Sequence, residues 1–325
     1  MGTLYLDHKS ATVERVGEVL TIRHAGALQH VPIKLLDRLV VSAELALPTS
    51  LLVGLAEAGV TTTLLGRRER YAHVLPHGPG DVLRLIAQVQ CFENVALKLR
   101  LAAWVVRAKL RAHQRFLSTL LQARPDQRLA ISKARQRLSD RVRRVALATE
   151  LDELRGIEGA AARDYFEAFA AVLPAEMGFT GRNRRPPRDP ANALLSLGYT
   201  LLHSEAVGAL AAAGLEPRLG FLHDPAWGRA SLAADLVERW RPAVDELAWQ
   251  LCRDRLLRAD HFRTQGEAVL LGKAGRMVFF PAFESMLRRE RPRLRRFAQK
   301  LARLLPRLLS KLPNAPSLPN NDAQP

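Results

Sequence analysis

Over about the first 75 residues, apolar and polar positions alternate with a period of two. The stretches TLYLD, TVERV, EVLTIRH and LQHVPI are short, and Gly17 and Gly26 punctuate them, so they read as strands joined by hairpins. PTSLLVGLAEAG reads as one helix, with Pro48 near its start and Gly59 just past its end, and VTTTLLG and YAHVLP return to strand. From about Leu85 the period lengthens to three or four residues. CFENVALKLRLAAWVVRAKLRAHQRFLSTLLQA and ISKARQRLSDRVRRVALATELDELRGIEGAAARDYFEAFAAVL are helical by this measure. RDPANALLSLGYTLLHSEAVGALAAAG adds its own punctuation: Asp189 at a cap position, Pro190 at N1 and Gly214 past the end. The predicted class is α+β, with a small N-terminal β-rich domain over 1–80 followed by a larger all-α catalytic domain over 88–305. A linker, PHGPGD, falls in the boundary region 76–88, and no repeat of solenoid period is present. The tail 311–325 is rich in proline and asparagine and is expected to be disordered.

Charge changes the picture. The chain has 325 residues with 49 Lys+Arg against 32 Asp+Glu, a formal net charge of +17. Such an excess points to a polyanionic partner, nucleic acid or an anionic membrane surface. The N-terminal part contributes almost nothing to it, with 9 basic and 8 acidic residues through Arg84. Between Lys98 and Arg144 there are 14 basic and 2 acidic residues, and between Arg288 and Lys311 there are 10 and 1. One such run reads as a solvated helix face; two on one helical domain favour a nucleic-acid surface. The last run also has the composition of an interfacial membrane helix, although Pro292 and Pro306 are expected to interrupt it. No signal peptide opens the chain, and no apolar run approaches the roughly 18 residues of a membrane span. The two cysteines, Cys91 and Cys252, lie far apart, which suits a reducing, cytoplasmic compartment and argues against a thiolate zinc site.

Several motifs are excluded. GEAVLLGKA superficially resembles a phosphate-binding loop, but the glycine spacing is wrong and Ala274 stands where a magnesium-touching Ser or Thr is required. G-x-S-x-G, HExxH and GxGxxG are absent. What remains is acid and histidine. Glu158 lies among glycine, isoleucine and alanine in LRGIEGAAARDYF, a packed setting in which an unpaired carboxylate is costly. His223 closes the apolar run LGFLH, and Asp235 and Glu238, three apart, share a helix face. Three carboxylates and one imidazole suit Mg2+ or Mn2+ better than zinc, copper or iron–sulfur. Each residue also has a plain reading: a hydrogen-bonded core histidine, acids paired with Arg229 or Arg239, an acid at a helix start.

Taken together, GIEGAAARDYF, GRNRRPPRDPANALLSLGYTLL and LGFLHDPAWGRASLAADLVERWRP resemble the blocks of the CRISPR-associated spacer-acquisition integrase, the Cas-one family, in that family's order. The resemblance implies that Glu158, His223 and Glu238 are metal ligands for Mg2+ or Mn2+. It places Asp235 at an adjacent acidic active-site position and Asn192 near the same cleft. Departures are small: Ala230 stands where proline is common, and Arg239-Trp240 where an acid and an aromatic are common. The implied activity is that of a metal-dependent DNA endonuclease and integrase, inserting short DNA spacers into a CRISPR array by attack of a 3′-hydroxyl on a phosphodiester. The implied partners are double-stranded DNA with single-stranded ends, CRISPR repeat DNA, a second copy of the chain (a homodimer, with the N-terminal domain assigned to dimerisation) and a Cas-two subunit, with no membrane. The residues alone leave two alternatives: a stand-alone divalent-metal DNA nuclease or resolvase, and a non-catalytic cationic nucleic-acid-binding protein.

Overall fold

The structure, a computed structural model, describes residues 2–42, 44–66, 71–75, 82–183 and 186–311, in two compact units, Met1–Gly80 and Asp81–Pro325. The linker 76–81 and the tail from 312 lie outside the described residues.

In the first unit, β1 (Gly2–Leu6), β2 (Thr12–Val16), β3 (Val19–His24), β4 (Ala27–Pro32) and β5 (Leu36–Val41) precede α1 (Thr49–Glu57), β6 (Thr61–Leu65) and β7 (Tyr71–Val74). Strands β2, β3 and β4 form an antiparallel meander. Ala25 and Gly26 turn β3 into β4 with φ of 49° and 79°, the left-handed pair that a two-residue hairpin loop of type I′ demands. The second sheet has the order β1-β5-β6-β7, with β5 parallel to both β1 and β6, and α1 forms the crossover between β5 and β6. The alternation of the sequence misses β5. Arg38, Leu39, Val40 and Val41 are all buried, so the strand is covered on both faces and carries no period of two. Its residues join Leu6, Val13, Leu20, Ile22, Ile33, Leu51 and Leu55 in one apolar core.

The second unit runs α2 (Val82–Glu93), α3 (Val95–Ala123), α4 (Arg128–Val145), α5 (Leu151–Ala170), α6 (Pro190–Ala212), α7 (Ser231–Val237), α8 (Arg241–Arg253), β8 (Phe262–Gln265), β9 (Ala268–Leu271) and α9 (Lys273–Leu309). Asp189 caps α6 by accepting the Asn192 N–H at 2.8 Å, with Pro190 at the first helical position. Helix α6 is apolar on nearly every side and is correspondingly buried along its length. The helical domain carries one antiparallel hairpin, β8–β9, which accounts for GEAVLLGKA as turn, strand and helix start.

Helix α9 corrects an expectation. It continues through Pro281, Pro292 and Pro306 without interruption. Pro281 and Pro292 point to solvent, so the lost backbone bonds face water, while Phe279, Phe283, Leu287, Leu294, Ala298, Leu301 and Leu305 hold the opposite face in the core. Burial of that stripe, at about 1.5–3 kcal/mol per large apolar side chain, outweighs a proline cost of about 3 kcal/mol each. Among the described residues no helix is long and apolar enough to cross a membrane.

Candidate active site

The site forms where α3, α5 and the segment 220–238 meet. Chain placement begins with Gln88 on α2, fully buried, whose amide donates to the carbonyls of Glu216 and Leu219 at 2.9 and 2.8 Å and accepts the Glu216 N–H at 2.8 Å. Gly220 follows in close backbone contact. A Cβ there would lie 2.6 Å from the Ser231 carbonyl carbon and 2.9 Å from the His223 oxygen, both backbone atoms that cannot turn aside. Gly220→Ala is therefore expected to destabilise the protein by about 1–3 kcal/mol and to loosen this segment; chemical denaturation reads it, and an unchanged midpoint would show that the close approach is not needed.

The reward of that approach is a buried hub at Asp235. Its Oδ2 accepts the N–H groups of Phe221 and Leu222 at 2.6 and 3.0 Å. Its Oδ1 accepts the His223 N–H at 3.1 Å and meets His223 Nδ1 at 2.7 Å. Every lone-pair direction of the carboxylate is thus engaged, and the imidazole is held with Nδ1 as donor and Nε2 facing outward. The sequence groups Asp235 with the reactive residues; the geometry makes it a positioning residue, because its oxygens have nothing left to offer a water or an ion. This carboxylate–imidazole pairing is the one by which metal-binding or base histidines are commonly oriented.

Glu158 lies mid-helix on α5, not at a helix start, and Glu238 closes α7. They converge on a residue that the sequence reading assigned to the DNA-binding surface, Lys109 of α3. Its ammonium pairs with Glu158 Oε1 and stands 2.5 Å from Glu238 Oε2. One buried ammonium thus bridges the two carboxylates. Glu238 Oε1 accepts from Arg241 Nε at 3.0 Å, so its partner is Arg241 and not Arg239. Burial alone would push the Glu238 carboxyl up; Arg241 and Lys109 reverse this and hold it well below the usual carboxylate range. Arg241 packs over the ring of Tyr199, 4.5 Å from its centroid, and the Tyr199 hydroxyl donates to Asp245. Burial pushes Asp245 up to about 6, even though Tyr165 and Tyr199 both donate to it. His113, stacked on Tyr165, is pushed well below its ordinary pKa by burial and by the Lys109 charge.

A cleft of about 280 Å³ opens beside Glu158 and His223, lined also by Arg155, Leu222, Asp224 and Arg229. Asp224 is tied to Lys98 and Arg155, whereas Arg229 has no ion pair among the described residues. Asn192, expected near the cleft, is fully buried and spent on structure. It donates to the Gly181 carbonyl and to Asp189, and accepts from Arg182 and the Asn183 N–H.

The expected ligand triad is not ready-made. Among the described residues no three His, Cys, Asp or Glu side chains are arranged to hold an ion as they stand. The physical reason is Lys109, whose ammonium takes the point where the Glu158 and Glu238 carboxylates meet. The donor chemistry nevertheless fits a divalent cation. Two carboxylates already share one positive charge, and the outward nitrogen of His223 is oriented from behind. Lys109 carried a signal that the sequence reading passed over. With His113 it falls on the buried stripe of α3, among Val105, Val106, Phe116 and Leu117, where an amphipathic helix has no reason to place a cation.

Comparison with known proteins bears on the family and the fold. The family profile described as "CRISPR associated protein Cas1" matches residues 4–285. A "CRISPR-associated endonuclease Cas1 1" of Thermodesulfovibrio yellowstonii is 32% identical over 310 residues, 93% of this chain and 96% of that protein. Among solved structures, a casposase bound to integration product superposes with a TM-score of 0.84 at 23% identity, over 99% of this chain and 96% of that one. A chain of a Cas6-RT-Cas1–Cas2 complex gives 0.79 at 23% identity, over 94% of this chain and 35% of that one. With a profile spanning most of its length and a relative aligned end to end, this chain belongs to the Cas1 family of CRISPR-associated proteins.

Proposed function

We propose that this chain is a metal-dependent DNA endonuclease and integrase that joins the 3′ end of a short DNA to a phosphodiester of CRISPR repeat DNA. The observation that carries the reading is the convergence of Glu158 and Glu238 on a single cation, with Glu158 and the imidazole locked by Asp235 both lining a cleft that also holds Arg229. Its family supports the same chemistry, since relatives are named endonucleases and the shared fold includes a casposase bound to integration product.

Glu158, Glu238 and His223 would hold Mg2+ or Mn2+, in the place between the carboxylates that the Lys109 ammonium occupies. A bound divalent ion supplies Lewis acidity, lowering the pKa of the attacking hydroxyl and neutralising charge on the phosphate and leaving oxygen. The chain's own groups do the rest. Asp235 keeps the His223 ring in one tautomer and orientation, Arg241 fixes Glu238 from behind, and Arg229 offers its guanidinium to a phosphate oxygen. In the joining step the 3′-oxygen forms a bond to phosphorus as the bond to the leaving 3′-oxygen breaks. One phosphodiester replaces another, so no energy source is required. Incubation with Mn2+ and labelled DNA tests the reading: joined strands support it, and shorter fragments alone reduce it to hydrolysis.

The basic helices serve backbone binding. Arg111, Arg115, Arg135, Arg143 and Arg144 on α3 and α4, and Arg288, Arg289, Arg293, Arg295, Arg296, Lys300, Arg303 and Arg307 on α9, are exposed. Two cations of the same windows are not available, because Lys109 sits in the site and Arg291 is buried against Glu205. With about six phosphate contacts, affinity is expected to fall roughly a thousandfold between about 50 and 200 mM salt; a flat salt dependence contradicts an electrostatic interface. A homodimer assembled with a Cas2 subunit completes the proposal, supported by the fold shared with a chain of a Cas1–Cas2-containing complex.

A further inference from the structure

The loop that leads from His223 into α7 carries a side chain that the fold does not use. Trp227 is 104% exposed, and no ring, cation or hydrogen-bonding group touches it among the described residues. The other three tryptophans are all employed. Trp240 and Trp249 are buried, and Trp104, 40% exposed, stacks on Phe297 with centroids 4.8 Å apart.

The exposure is built. The Arg229 N–H closes a turn onto the Ala226 carbonyl at 3.1 Å, and Gly228 takes φ of 68° at its third position, where type II turns take glycine. Trp227 stands at the outer corner. The ends of the loop are tied down: Ser231 Oγ donates to the Asp224 carbonyl at 2.8 Å, Lys98 and Arg155 hold the Asp224 carboxylate, and His203 Nε2 contacts the Ala230 carbonyl at 3.2 Å. A large indole is therefore held in water on an anchored turn, two residues from Arg229, which lines the cleft with Glu158 and His223.

We propose that Trp227 is a stacking platform for an unpaired nucleobase at the end of the DNA, with the adjoining phosphate on Arg229. This deepens the integrase reading and rests on it. The choice of ligand follows from the pairing of an uncovered π face with an unpaired guanidinium two residues away that lines the cleft. Single-stranded nucleic acid offers both of the complementary groups in adjacent positions, and an aromatic face accepts any base. A duplex offers its phosphates but keeps its base faces stacked inside.

The experiment compares a duplex carrying single-stranded 3′ tails with a blunt duplex of equal length, using the full-length protein in EDTA so that no strand is cut or joined. Trp227→Ala is expected to weaken the tailed duplex roughly five- to hundredfold and leave the blunt duplex and the melting temperature unchanged, with Trp227→Phe recovering most of the loss. A 2-aminopurine in the tail should be quenched by the wild type and bright with Trp227→Ala. Equal loss on both duplexes, or no loss on either, overturns the assignment. Unchanged DNA affinity with a smaller protein assembly would make Trp227 a protein-docking residue and also overturns it. A wild type that binds neither duplex defeats the integrase reading itself.

Discussion

Glu158→Gln is expected to abolish joining of a DNA 3′ end while leaving the protein folded and bound to DNA. The lost transition-state stabilisation is several kcal/mol, and at 1.36 kcal/mol per decade the rate falls on the order of a thousandfold or more. Its side chain is 25% exposed, so the fold loses little when the charge goes. His223→Ala should behave alike, because Asp235 keeps its three backbone donors after the imidazole is removed. Glu238→Gln should differ. Its carboxylate is buried between Arg241 and Lys109, and its removal strands the Arg241 guanidinium and leaves Lys109 with Glu158 alone, at a cost of about 3–5 kcal/mol of stability in addition to the lost activity. Melting temperature, DNA affinity and Mn2+-dependent joining measured on all three variants separate these effects. A Glu158→Gln variant that still joins strands, or one that loses joining only because it unfolds, defeats the assignment.

The second large effect belongs to Lys109. In metal-free buffer Lys109→Met leaves the Glu158 and Glu238 carboxylates facing one another with no charge between them. A loss of about 3–5 kcal/mol is expected, and at about 2–4 °C per kcal/mol for a domain of this size the melting temperature drops by roughly 6–20 °C. Mn2+ should then stabilise this variant more than the wild type, because no ammonium has to leave, and the gap between the two should close; an ion at a hundred times its dissociation constant contributes about 2.7 kcal/mol. Adding Glu158→Gln to Lys109→Met relieves the repulsion and should restore part of the stability, so the pair is non-additive. A Lys109→Met protein that melts like the wild type in EDTA, or that Mn2+ no longer stabilises, shows that the lysine is not the occupant of the cation position.

Much of the fold was legible because the relevant signals were local. The hairpins of the first unit announce themselves by alternation, and α6 by its Asp189-Pro190 start. β5 was not legible, since a strand buried on both faces has no period to detect. The continuity of α9 was obscured because proline's cost is local, whereas the burial that outweighs it is summed along the whole helix. At the site, residue types left Glu158, His223, Asp235 and Glu238 each with a plain alternative, and it was the resemblance of three sequence blocks that implied Glu158, His223 and Glu238 as a set. The distinction between Asp235 as positioner and His223 as the presented group needed the hydrogen bonds to Phe221, Leu222 and His223, which no pattern encodes. Asn192 likewise reads as a polar residue near a cleft until its four partners are seen.

Pulsed electron paramagnetic resonance of Mn2+ added to the full-length protein reads the proposed ligand set itself. The wild type is expected to bind Mn2+ with one imidazole-nitrogen coupling. The coupling should vanish in His223→Ala, and the bound signal should weaken strongly in Glu158→Gln and Glu238→Gln. A folded wild type that binds no Mn2+, or bound Mn2+ whose nitrogen coupling survives in His223→Ala, would contradict it.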